Sequence, residues 1–579
     1  MTETHIEPKP WHKNWPQNVP KTIQYPLTPL HELLEMSAEK HPTHPAIHYM
    51  GKTLTYQELN ESVDHFAAAL AKLGVKQGDR VAIYLPNIPQ FIISFYAASK
   101  IGAINTAVSP LYRERELEYQ INDSGAETLI YLDLLHPIVD KIRAKTKLKN
   151  LITATIGEYL PSAKRILGGL LGKVPKHKIP QDAGVHQFKP LLESVLPDPP
   201  DVQIDPKEDL VALQYTGGTT GTPKGAMLTH YNLVTNAVAC AYWLHGTNAP
   251  NMETKDVFLT AIPLFHIYGM TTAMNAPIYL AGTMVLLPKP EPVDILKAIQ
   301  NQKVTVYCGV PTLYSMLIEH PDIRRYNLKT IKFCISGSAP LPPEIQKIFM
   351  DLTGGVLVEG YGLTESSPVT HCNPLDQTLK TVKIGTIGLP WPDTDAKIVD
   401  TQTGTKELST GEDGELIITG PQIMKGYWNL PQETKDILRQ GWLYTGDIAH
   451  MDPDGYFHIT DRKKDLIKYK GYSVYPREIE DILYEHPAIK LCAVIGKPDK
   501  TAGEIPKAYI VLKEGNTTAT EEEIKKFVNA KVAPYKAIRQ IEFRTQLPMT
   551  PVGKVLRRSL RQEEKEKKEK PSKKPKKAS

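Results

Sequence analysis

Short apolar segments alternate with amphipathic ones in two long stretches of the chain, and this alternation restricts the fold more than any other feature. The first stretch, up to about residue 135, has the strand-like runs DRVAIYLP and ETLIYL with helix-like runs around them. The second, residues 256–360, repeats the pattern with DVFLTAIPLFH, VTVYCGVP and IKFCISGS. Strands that alternate with helices of this length form βαβ units on mainly parallel sheets. The pattern therefore predicts an α/β fold.

A loop rich in glycine and threonine, YTGGTTGTPKG, lies at residues 215–225 between those two stretches. An apolar run precedes it and an amphipathic run, HYNLVTNAVACAYWL, follows it. A strand that opens into such a loop and resumes as a helix offers backbone N–H groups, hydroxyls and one ammonium to an anion. The Walker A spacing is absent. A flexible surface loop is the alternative, but Gly/Ser linkers rarely combine several threonines with a Pro-Lys-Gly end.

The rest of the chain divides into three further parts. Residues 385–460 read as short β segments between Gly and Asp turns, which predicts a small β-barrel. Residues 461–561 read as a separate, mobile α+β domain at the C-terminal side. We therefore expect a large N-terminal domain over residues 1–460, built of two βα-type sheets plus the barrel. Residues 562–579 are so rich in charge that they cannot bury apolar area, and we predict a disordered basic tail.

Composition excludes several classes of protein. The net charge is +5, but residues 562–579 carry eight lysines and four glutamates, which leaves about +1 for the body and argues against nucleic-acid binding. The five cysteines are scattered without metal-ligand spacing, which favours reduced thiols in the cytoplasm. No uncharged apolar run reaches the ~18 residues of a membrane span, so any membrane contact is expected to be peripheral. The sequence leaves a homodimer open.

The loop and four later motifs resemble the adenylate-forming enzymes, the superfamily of acyl-CoA synthetases, luciferases and adenylation domains. The motifs are TGGTTGTPKG, YGLTES at 361–366, GWLYTGD at 441–447, DRKKDLIK at 461–468 and PMTPVGKVLRR at 548–558, in the order typical of the superfamily. Within it, the chain most resembles bacterial long-chain fatty acid:CoA ligases. The resemblance implies that ATP, CoA and a fatty acid are the substrates and that Mg²⁺ is the cofactor.

The resemblance also implies which residues hold ATP. By resemblance, Thr216, Thr219, Thr220 and Lys224 belong to the loop that holds the phosphates. Residues 337–340 match the loop on the adenine side, and Tyr361 matches the aromatic ring that stacks on the base. Asp447 and Arg462 match the pair that binds the ribose hydroxyls. An isolated Asp after Gly is more often a turn residue than a ligand, so the ordered set carries this interpretation. The full expected ATP-binding set is Thr216, Gly217, Gly218, Thr219, Thr220, Gly221, Lys224, Gly337, Ser338, Ala339, Pro340, Gly360, Tyr361, Asp447 and Arg462.

Four residues are expected to take part in the reaction itself. A carboxylate needs no general base to attack the α-phosphate, so the site must supply charge neutralisation and alignment. By resemblance, Thr364 contacts phosphate, Glu365 binds Mg²⁺, and Lys554 bridges the reacting carboxylate and the α-phosphate. His266 matches a residue between the acyl and thiol channels, although a lone histidine after a strand is usually structural.

In the second half-reaction a thiol attacks the acyl-adenylate, and the resemblance implies that the C-terminal domain rotates about Lys464 for this step. Lys470, Gly471 and Tyr472 would then face CoA, with Gly471 allowing close approach.

Val238, Tyr242 and Met270 are predicted to line the acyl site, although a helix stripe is more often plain core. Met270 stands where some long-chain members carry a gating tryptophan.

The sequence thus predicts an AMP-forming, magnesium-dependent fatty acid:CoA ligase that is cytoplasmic and touches the membrane at most peripherally. The RILGGLLGKVPKHK segment, within residues 150–205, could provide that contact, and a solvated insertion is the alternative. A ligase for aryl or other carboxylates is a second interpretation. A non-catalytic lipid-binding protein is a third, which the presence of Lys224, Glu365, Asp447 and Lys554 together disfavours.

Overall fold

A computed structural model describes residues 8–170, 177, 179, 184–216, 223–251, 255–470, 472–499, 501–515, 519–550 and 554–569. The strands, in chain order, are β1 (Pro45–Tyr49), β2 (Lys52–Thr55), β3 (Arg80–Tyr84), β4 (Ile104–Ala107), β5 (Thr128–Leu132), β6 (Asn150–Ala154), β7 (Val185–Gln187), β8 (Leu210–Tyr215), β9 (Gly225–Thr229), β10 (Val257–Thr260), β11 (Thr283–Leu286), β12 (Val306–Gly309), β13 (Phe333–Ser336), β14 (Val356–Gly362), β15 (Val369–Cys372), β16 (Leu389–Pro390), β17 (Asp395–Val399), β18 (Gly414–Thr419), β19 (Gly426–Tyr427), β20 (Leu438–Arg439), β21 (Trp442–Met451), β22 (Phe457–Arg462), β23 (Ile467–Tyr469), β24 (Tyr472–Val474), β25 (Ile489–Asp499), β26 (Gly503–Leu512) and β27 (Gln540–Phe543).

The helices begin where the sequence supplies caps or proline. The Thr55 hydroxyl caps the long second helix by accepting from the Glu58 N–H, and the Glu58 carboxylate accepts from the Thr55 N–H in return. In chain order the helices are α1 (Glu32–Lys40), α2 (Tyr56–Lys72), α3 (Pro89–Lys100), α4 (Glu114–Ser124), α5 (His136–Arg143), α6 (Ser162–Leu170), α7 (Phe188–Glu193), α8 (His230–His245), α9 (Ile267–Met270), α10 (Ala276–Tyr279), α11 (Pro292–Gln302), α12 (Pro311–Ile318), α13 (Pro343–Thr353), α14 (Pro431–Ile437), α15 (Pro476–Tyr484), α16 (Glu521–Asn529) and α17 (Arg557–Glu569).

Two large sheets form the centre of the molecule, and the alternation of strands and helices explains both. One sheet has the order β16-β15-β14-β13-β12-β10-β11-β1-β2, and the other has the order β19-β9-β8-β4-β3-β5-β6-β7. The inner strands β14, β13, β12, β10, β11 and β1 run parallel, as do β8, β4, β3, β5, β6 and β7. The predicted α/β fold with two βα-type sheets is confirmed.

The glycine-threonine loop connects differently from the prediction. The chain returns after the loop as β9, which pairs antiparallel with β8 and matches Tyr215 with Gly225. The helix α8 begins only at His230. The expectation of a strand that leads through the loop directly into a helix N-terminus is therefore wrong, because GAMLT forms the strand β9, which completes a β-hairpin with β8, and the helix begins only after it.

The short β segments after residue 385 form an antiparallel sheet with the order β17-β18-β21-β20, and β22 pairs with β21. The start of the described chain lies on this sheet. Trp11 is buried against Phe457, with ring centroids 5.9 Å apart, and the Lys9 ammonium lies 2.7 Å from the Asp395 carboxylate. The N-terminal segment is thereby fixed to the body.

The chain after Lys464 forms a compact α+β unit with its own core, here called the small domain (residues 465–569), and everything before Lys464 is called the large domain. Its sheet has the order β24-β23-β26-β25, with β27 beside β26. The helices α15 and α16 bury Ile479, Leu483, Ile524 and Val528 in that core.

The predicted disorder from residue 562 onward is wrong for residues 562–569, which continue α17. Leu560 is fully buried beside Ile495 and Tyr509. One turn later the Glu564 carboxylate accepts from the Lys507 ammonium and from the Tyr509 hydroxyl, each at 2.8 Å. A buried partner for Glu564 compensates the low apolar content of the helix. Residues 570–579 lie outside the described part of the chain.

None of the described helices combines the length and apolar character needed to cross a membrane.

Candidate functional site

Asp447 is the centre of the candidate site. It lies at the bulged part of β21, where the ladder to β22 matches it with Arg462. Its Oδ1 lies 2.8 Å from the Arg462 Nε, and its Oδ2 accepts from the Tyr361 hydroxyl at 2.7 Å. The Asp447 side chain is only 2% exposed. Three residues predicted to hold the nucleotide, from two different sheets, therefore meet in one buried cluster.

The small domain brings Lys554 to the same cluster. Repulsion by the Arg462 guanidinium, followed by burial, lowers the pKa of Lys554 to about 7, and Asp447 opposes that shift. The backbone holds the lysine in a closed turn, because Thr550 N–H donates to the Lys554 carbonyl at 2.7 Å and the Lys554 N–H donates to Thr550 Oγ1 at 3.0 Å. The Lys554 amine thus lies within electrostatic range of Asp447 and Arg462, although it belongs to the other domain.

Glu365 and Lys224 lie on either side of a tyrosine that sequence reasoning missed. Glu365 belongs to a short 3-10 helix, Thr364–Ser366, which follows β14. Its Oε1 accepts from the Tyr427 hydroxyl at 2.5 Å, and the Lys224 Nζ lies 5.0 Å from the centre of the Tyr427 ring. Burial, then the neighbouring Glu365 carboxylate, raises the pKa of Tyr427. Tyr427 stays a neutral donor that orients the carboxylate.

The pairing of β19 with β9 explains why Tyr427 is at this place. Tyr427 pairs with Ala226, two residues after Lys224, so the tyrosine is carried on a neighbour of the hairpin. At the base of the hairpin, the Thr216 N–H donates to the Lys224 carbonyl at 2.9 Å. The strand that carries Tyr427 has only two residues, Gly426–Tyr427, which is too short to show an alternation of apolar and polar residues. No sequence motif marked it either, so nothing in the sequence signalled this tyrosine. Gly217, Gly218, Thr219, Thr220 and Gly221 lie outside the described residues.

The predicted adenine-side loop follows the carboxyl end of β13. Gly337 packs against Tyr268, whose ring would lie 3.1 Å from a Cβ at that position, so a side chain there would need the ring to move. Ser338 has a φ of +68°, in the left-handed region, and Ala339 and the exposed Pro340 complete the turn. Gly360, in β14, has similar limited space beside Ile335. The loop and Tyr361 therefore lie at the ends of adjacent strands.

His266 caps α9, where its Nδ1 accepts from the Tyr268 N–H at 3.3 Å. Burial lowers its pKa to about 4, so the ring is neutral at pH 7. Of the predicted acyl-site residues, Val238 and Met270 are fully buried members of the core, and Tyr242 is half-buried one turn after Val238 on α8. Residues of the hydrophobic core with no binding role would be buried in the same way, so the acyl-binding role of these three residues stays a prediction.

The predicted hinge and CoA residues lie on the small domain. Lys464 is exposed between β22 and β23, and its carbonyl accepts from the Arg561 guanidinium at 3.3 Å. Lys470 has a φ of +48° at the tip of the β23–β24 turn. The exposed Tyr472 ring stacks on Tyr535 with centroids 4.8 Å apart. Gly471 lies outside the described residues.

The arrangement can neutralise and align a phosphorylated ligand. Lys224, Arg462 and Lys554 supply positive charge, and Glu365 and Asp447 supply oxygen acceptors. Glu365 lies just beyond the carboxyl end of β14, where ligands of α/β sheets bind. No group of three or more metal-ligating side chains occurs among the described residues.

The fold and this site define an enzyme class that acts on nucleotides between a large and a small domain. The sequence pattern of the AMP-binding enzyme family matches residues 34–428, and the pattern of the AMP-binding enzyme C-terminal domain matches residues 478–554. The chain therefore belongs to the AMP-binding enzyme family, and the predicted superfamily is confirmed.

Curated relatives and solved structures agree with this membership. The chain is 44% identical over 559 residues to a long-chain-fatty-acid--CoA ligase of Bacillus subtilis (strain 168), covering 96% of this chain and 98% of that protein. It is 37% identical to a long-chain-fatty-acid--CoA ligase of Escherichia coli O157:H7, over 96% of this chain and 98% of that protein. The crystal structure of the anthranilate CoA ligase AuaEII in complex with anthranoyl-AMP matches with a TM-score of 0.83 and 26% identity, covering 94% of this chain and 99% of that one.

Proposed function

We propose that this protein is an AMP-forming fatty acid:CoA ligase, which joins a fatty acid to AMP with release of pyrophosphate and then transfers the acyl group to CoA. The observation that carries the proposal is the buried Asp447–Arg462 ion pair at 2.8 Å, with Lys554 of the small domain close enough for the Arg462 charge to lower its pKa to about 7. The 44% identity to a long-chain-fatty-acid--CoA ligase over almost the whole chain supports it.

In the first half-reaction, the fatty acid carboxylate attacks the α-phosphate of ATP and pyrophosphate leaves. The carboxylate is already an anion, so the two reactants repel each other, and positive groups must offset that repulsion. Lys554 is proposed to bridge carboxylate and α-phosphate, and Lys224 to hold the outer phosphates. Asp447 accepts from the ribose hydroxyls, and Tyr361 offers its ring to the adenine. The buried contacts of Asp447 with Arg462 and Tyr361 support this assignment, because they fix all three side chains before the ligand arrives.

Glu365 is the residue that would hold Mg²⁺, and the ion would supply positive charge to the phosphates of ATP. Mg²⁺ is typically bound through one or two carboxylates plus substrate phosphates, so one fixed carboxylate fits the ion. The Tyr427 hydroxyl occupies one Glu365 oxygen and leaves the other for the metal. Thr364, the first residue of the same 3-10 helix, is proposed to contact phosphate. His266, neutral at pH 7, is proposed to separate the acyl and thiol channels.

For the second half-reaction, the small domain is proposed to rotate about Lys464, withdraw Lys554 and present Lys470, Gly471 and Tyr472 to CoA. The exposed Tyr472 ring supports this, because an exposed aromatic pair can receive a nucleotide base. Lys464→Pro should stall thioester formation and spare adenylate formation. An unchanged overall rate in this variant would remove the hinge from the proposal.

Val238, Tyr242 and Met270 are proposed to line the acyl site, with a preference for medium or long chains. The match to an anthranilate CoA ligase structure keeps an aryl substrate as the second candidate. A series of fatty acids from C4 to C18, run beside coumarate and benzoate, separates the two. Higher kcat/KM for any fatty acid than for both aryl acids supports the first candidate, and the reverse supports the second.

A peripheral membrane contact is proposed at α6. Ile166 and Leu167 are 61% and 59% exposed there, beside Lys164 and Arg165, so apolar and basic side chains share one short helix suited to an anionic lipid surface. Residues 171–176 and 178 of the predicted segment lie outside the described residues. Ile166→Glu with Leu167→Glu should reduce sedimentation with phosphatidylglycerol vesicles, while Leu196→Glu, at another exposed leucine, should not.

A homodimer remains a prediction, which analytical ultracentrifugation of the purified protein would test.

The decisive experiment is ATP–pyrophosphate exchange with Mg²⁺ across the same acids, followed by CoA addition. Lys554→Ala should lose exchange by at least 100-fold, in the range of a missing transition-state contact, while thioester formation from supplied acyl-AMP changes far less. Lys526→Ala, which removes an exposed lysine from α16 of the same domain, is the matched control. Equal loss of both half-reactions in Lys554→Ala would contradict its role. No exchange by the unmodified protein with any acid would end the proposal as a whole.

A further inference from the structure

The domain boundary contains an arginine that no motif marks. Arg477 lies at the start of α15 in the small domain, and its side chain is 15% exposed. Its Nη1 donates to the Ile459 carbonyl of the large domain at 2.7 Å. Its backbone N–H donates to Asp461 Oδ2 at 2.9 Å. Both acceptors precede Lys464, so these contacts cross the predicted hinge.

The strand β22 makes those acceptors available. The ladder between β21 and β22 matches Ala449 with Ile459 and Ile448 with Asp461, so it skips Thr460. Such a bulge turns backbone groups out of the ladder, which agrees with the Ile459 carbonyl accepting from a side chain. Asp461 is nearly fully buried, and its carboxylate also lies 3.9 Å from the Arg557 guanidinium of α17.

A second carboxyl of the large domain within electrostatic range of Arg477 is Glu359. This buried carboxyl ends the regular part of β14, just before Tyr361, and accepts from the Leu341 N–H at 3.1 Å. Burial raises the pKa of Glu359 to about 7, and the charge of Arg477 is the first factor that opposes the shift. The arginine therefore lies close to a carboxyl that holds the end of the 337–340 loop.

All of these contacts belong to the arrangement in which Lys554 lies beside Asp447. A rotation about Lys464 carries Arg477 away from Ile459, Asp461 and Glu359 together, since the three belong to the large domain. Contacts that exist in only one of two arrangements favour that arrangement by their full free energy. Among the described residues of the small domain, the Arg477 side chain has Asp481 as its charged partner, at 3.9 Å.

We propose that Arg477 is a positioning residue that clasps the small domain in the adenylate-forming arrangement, by holding the Ile459 carbonyl and facing Asp461 and Glu359. The proposal rests on the two-step ligase function proposed above. Arg477 does not contact the substrate. It increases the fraction of molecules in which the small domain holds Lys554 at the site. Loss of the clasp should slow the first half-reaction and leave the second unchanged or faster.

The test compares Arg477→Ala and Arg477→Lys with Lys490→Ala. Lys490 also faces the large domain, at 3.8 Å from Glu319, but both side chains are about half exposed, so this pair should contribute little. For Arg477→Ala we expect ATP–pyrophosphate exchange to fall about tenfold, the order of one charged hydrogen bond. Thioester formation from supplied acyl-AMP should stay the same or rise. Arg477→Lys should recover part of the exchange, and Lys490→Ala should match the unmodified protein.

A second readout needs no activity and separates the clasp from the proposed function. Lys463 and Lys464 are exposed in the linker, so trypsin can cleave there. Without ligands, Arg477→Ala should be cut at this linker several times faster than the unmodified protein or Lys490→Ala, with the site identified by mass spectrometry. Equal cleavage rates overturn the proposal, as does an equal loss of both half-reactions, or unchanged exchange in an active enzyme. Faster cleavage in a protein inactive with every acid would retain the clasp and reject the ligase.

Discussion

Replacing Asp447 with asparagine tests the centre of the site, because it removes a charge and keeps the shape. Asparagine can still accept from the Tyr361 hydroxyl, which lies 2.7 Å from Oδ2. The other carboxylate oxygen, 2.8 Å from Arg462 Nε, becomes an NH2 group, so the contact with Arg462 loses both its charge and its acceptor. Hydrogen bonds to charged groups contribute about 1.5–3 kcal/mol, and the Arg462 side chain, 34% exposed, is partly screened by solvent. We take about 2 kcal/mol as the cost.

A cost of about 2 kcal/mol corresponds to a fall of about 30-fold in kcat/KM for ATP. The assay is ATP–pyrophosphate exchange at a saturating fatty acid concentration. Tyr361→Phe is the graded comparison, since it removes one hydrogen bond to the Asp447 carboxylate but keeps the charge and the contact with Arg462, a loss at the lower end of that range, about 1.5 kcal/mol or about tenfold. A thermal unfolding scan of both variants checks that the fold is retained. If folded Asp447→Asn exchanged as fast as the unmodified protein, the assignment of Asp447 to the nucleotide site would be refuted.

Two further predictions concern charge in the small domain. The pKa of Lys554 is about 7, so the lysine loses its charge as the pH rises through this value, and kcat/KM for exchange should fall over the same range. Lys554→Arg should flatten this pH dependence. A flat profile of the unmodified protein from pH 6 to 9 would contradict the prediction. Glu564→Gln weakens the buried contact with Lys507, which keeps Glu542 at 2.7 Å, so we expect a loss of about 1–3 kcal/mol in small-domain stability. A lowered melting temperature measures this, the exposed Glu566→Gln is the control, and equal melting temperatures would show that the contact contributes nothing.

The part of the site that the sequence predicts is the part carried by chemistry-bearing motifs. Asp447, Arg462, Tyr361 and Lys554 come from four separate motifs, and the structure brings them together. Tyr361 lies near the end of β14, Arg462 ends β22, and Asp447 lies at a bulge inside β21. The α/β fold followed from the alternation of segments, whereas these four residues were predicted by resemblance to the adenylate-forming enzymes; the roles of the individual residues remain predictions.

The missed features depend on partners far away in the chain. Tyr427 reaches the site through a two-residue strand that pairs with β9, about 200 residues earlier. Composition alone predicts disorder for a segment as highly charged as α17. The helix is ordered because Lys507 and Tyr509, on the neighbouring sheet, donate hydrogen bonds to Glu564. The hairpin after Tyr215 was missed because GAMLT is too short for its period to distinguish a strand from the start of a helix.

The position of Lys554 leads to one more consequence, which concerns protons and ATP. In the ligand-free enzyme Arg462 repels the Lys554 ammonium, and its pKa of about 7 leaves it partly neutral at pH 7.5. The phosphates of ATP bring several negative charges, and a nearby opposite charge favours the charged form of a lysine. ATP binding should therefore raise the pKa of Lys554 and draw a proton from solution.

That uptake can be measured by calorimetric titration of ATP in two buffers of different ionisation enthalpy, since the difference in heat gives the number of protons bound. At pH 7.5 we expect a substantial fraction of one proton per ATP. Lys554→Arg is the matched control, because arginine is always charged and has no proton to gain. Equal uptake by Lys554→Arg and the unmodified protein would mean that the proton goes elsewhere, and that Lys554 is already charged before ATP arrives.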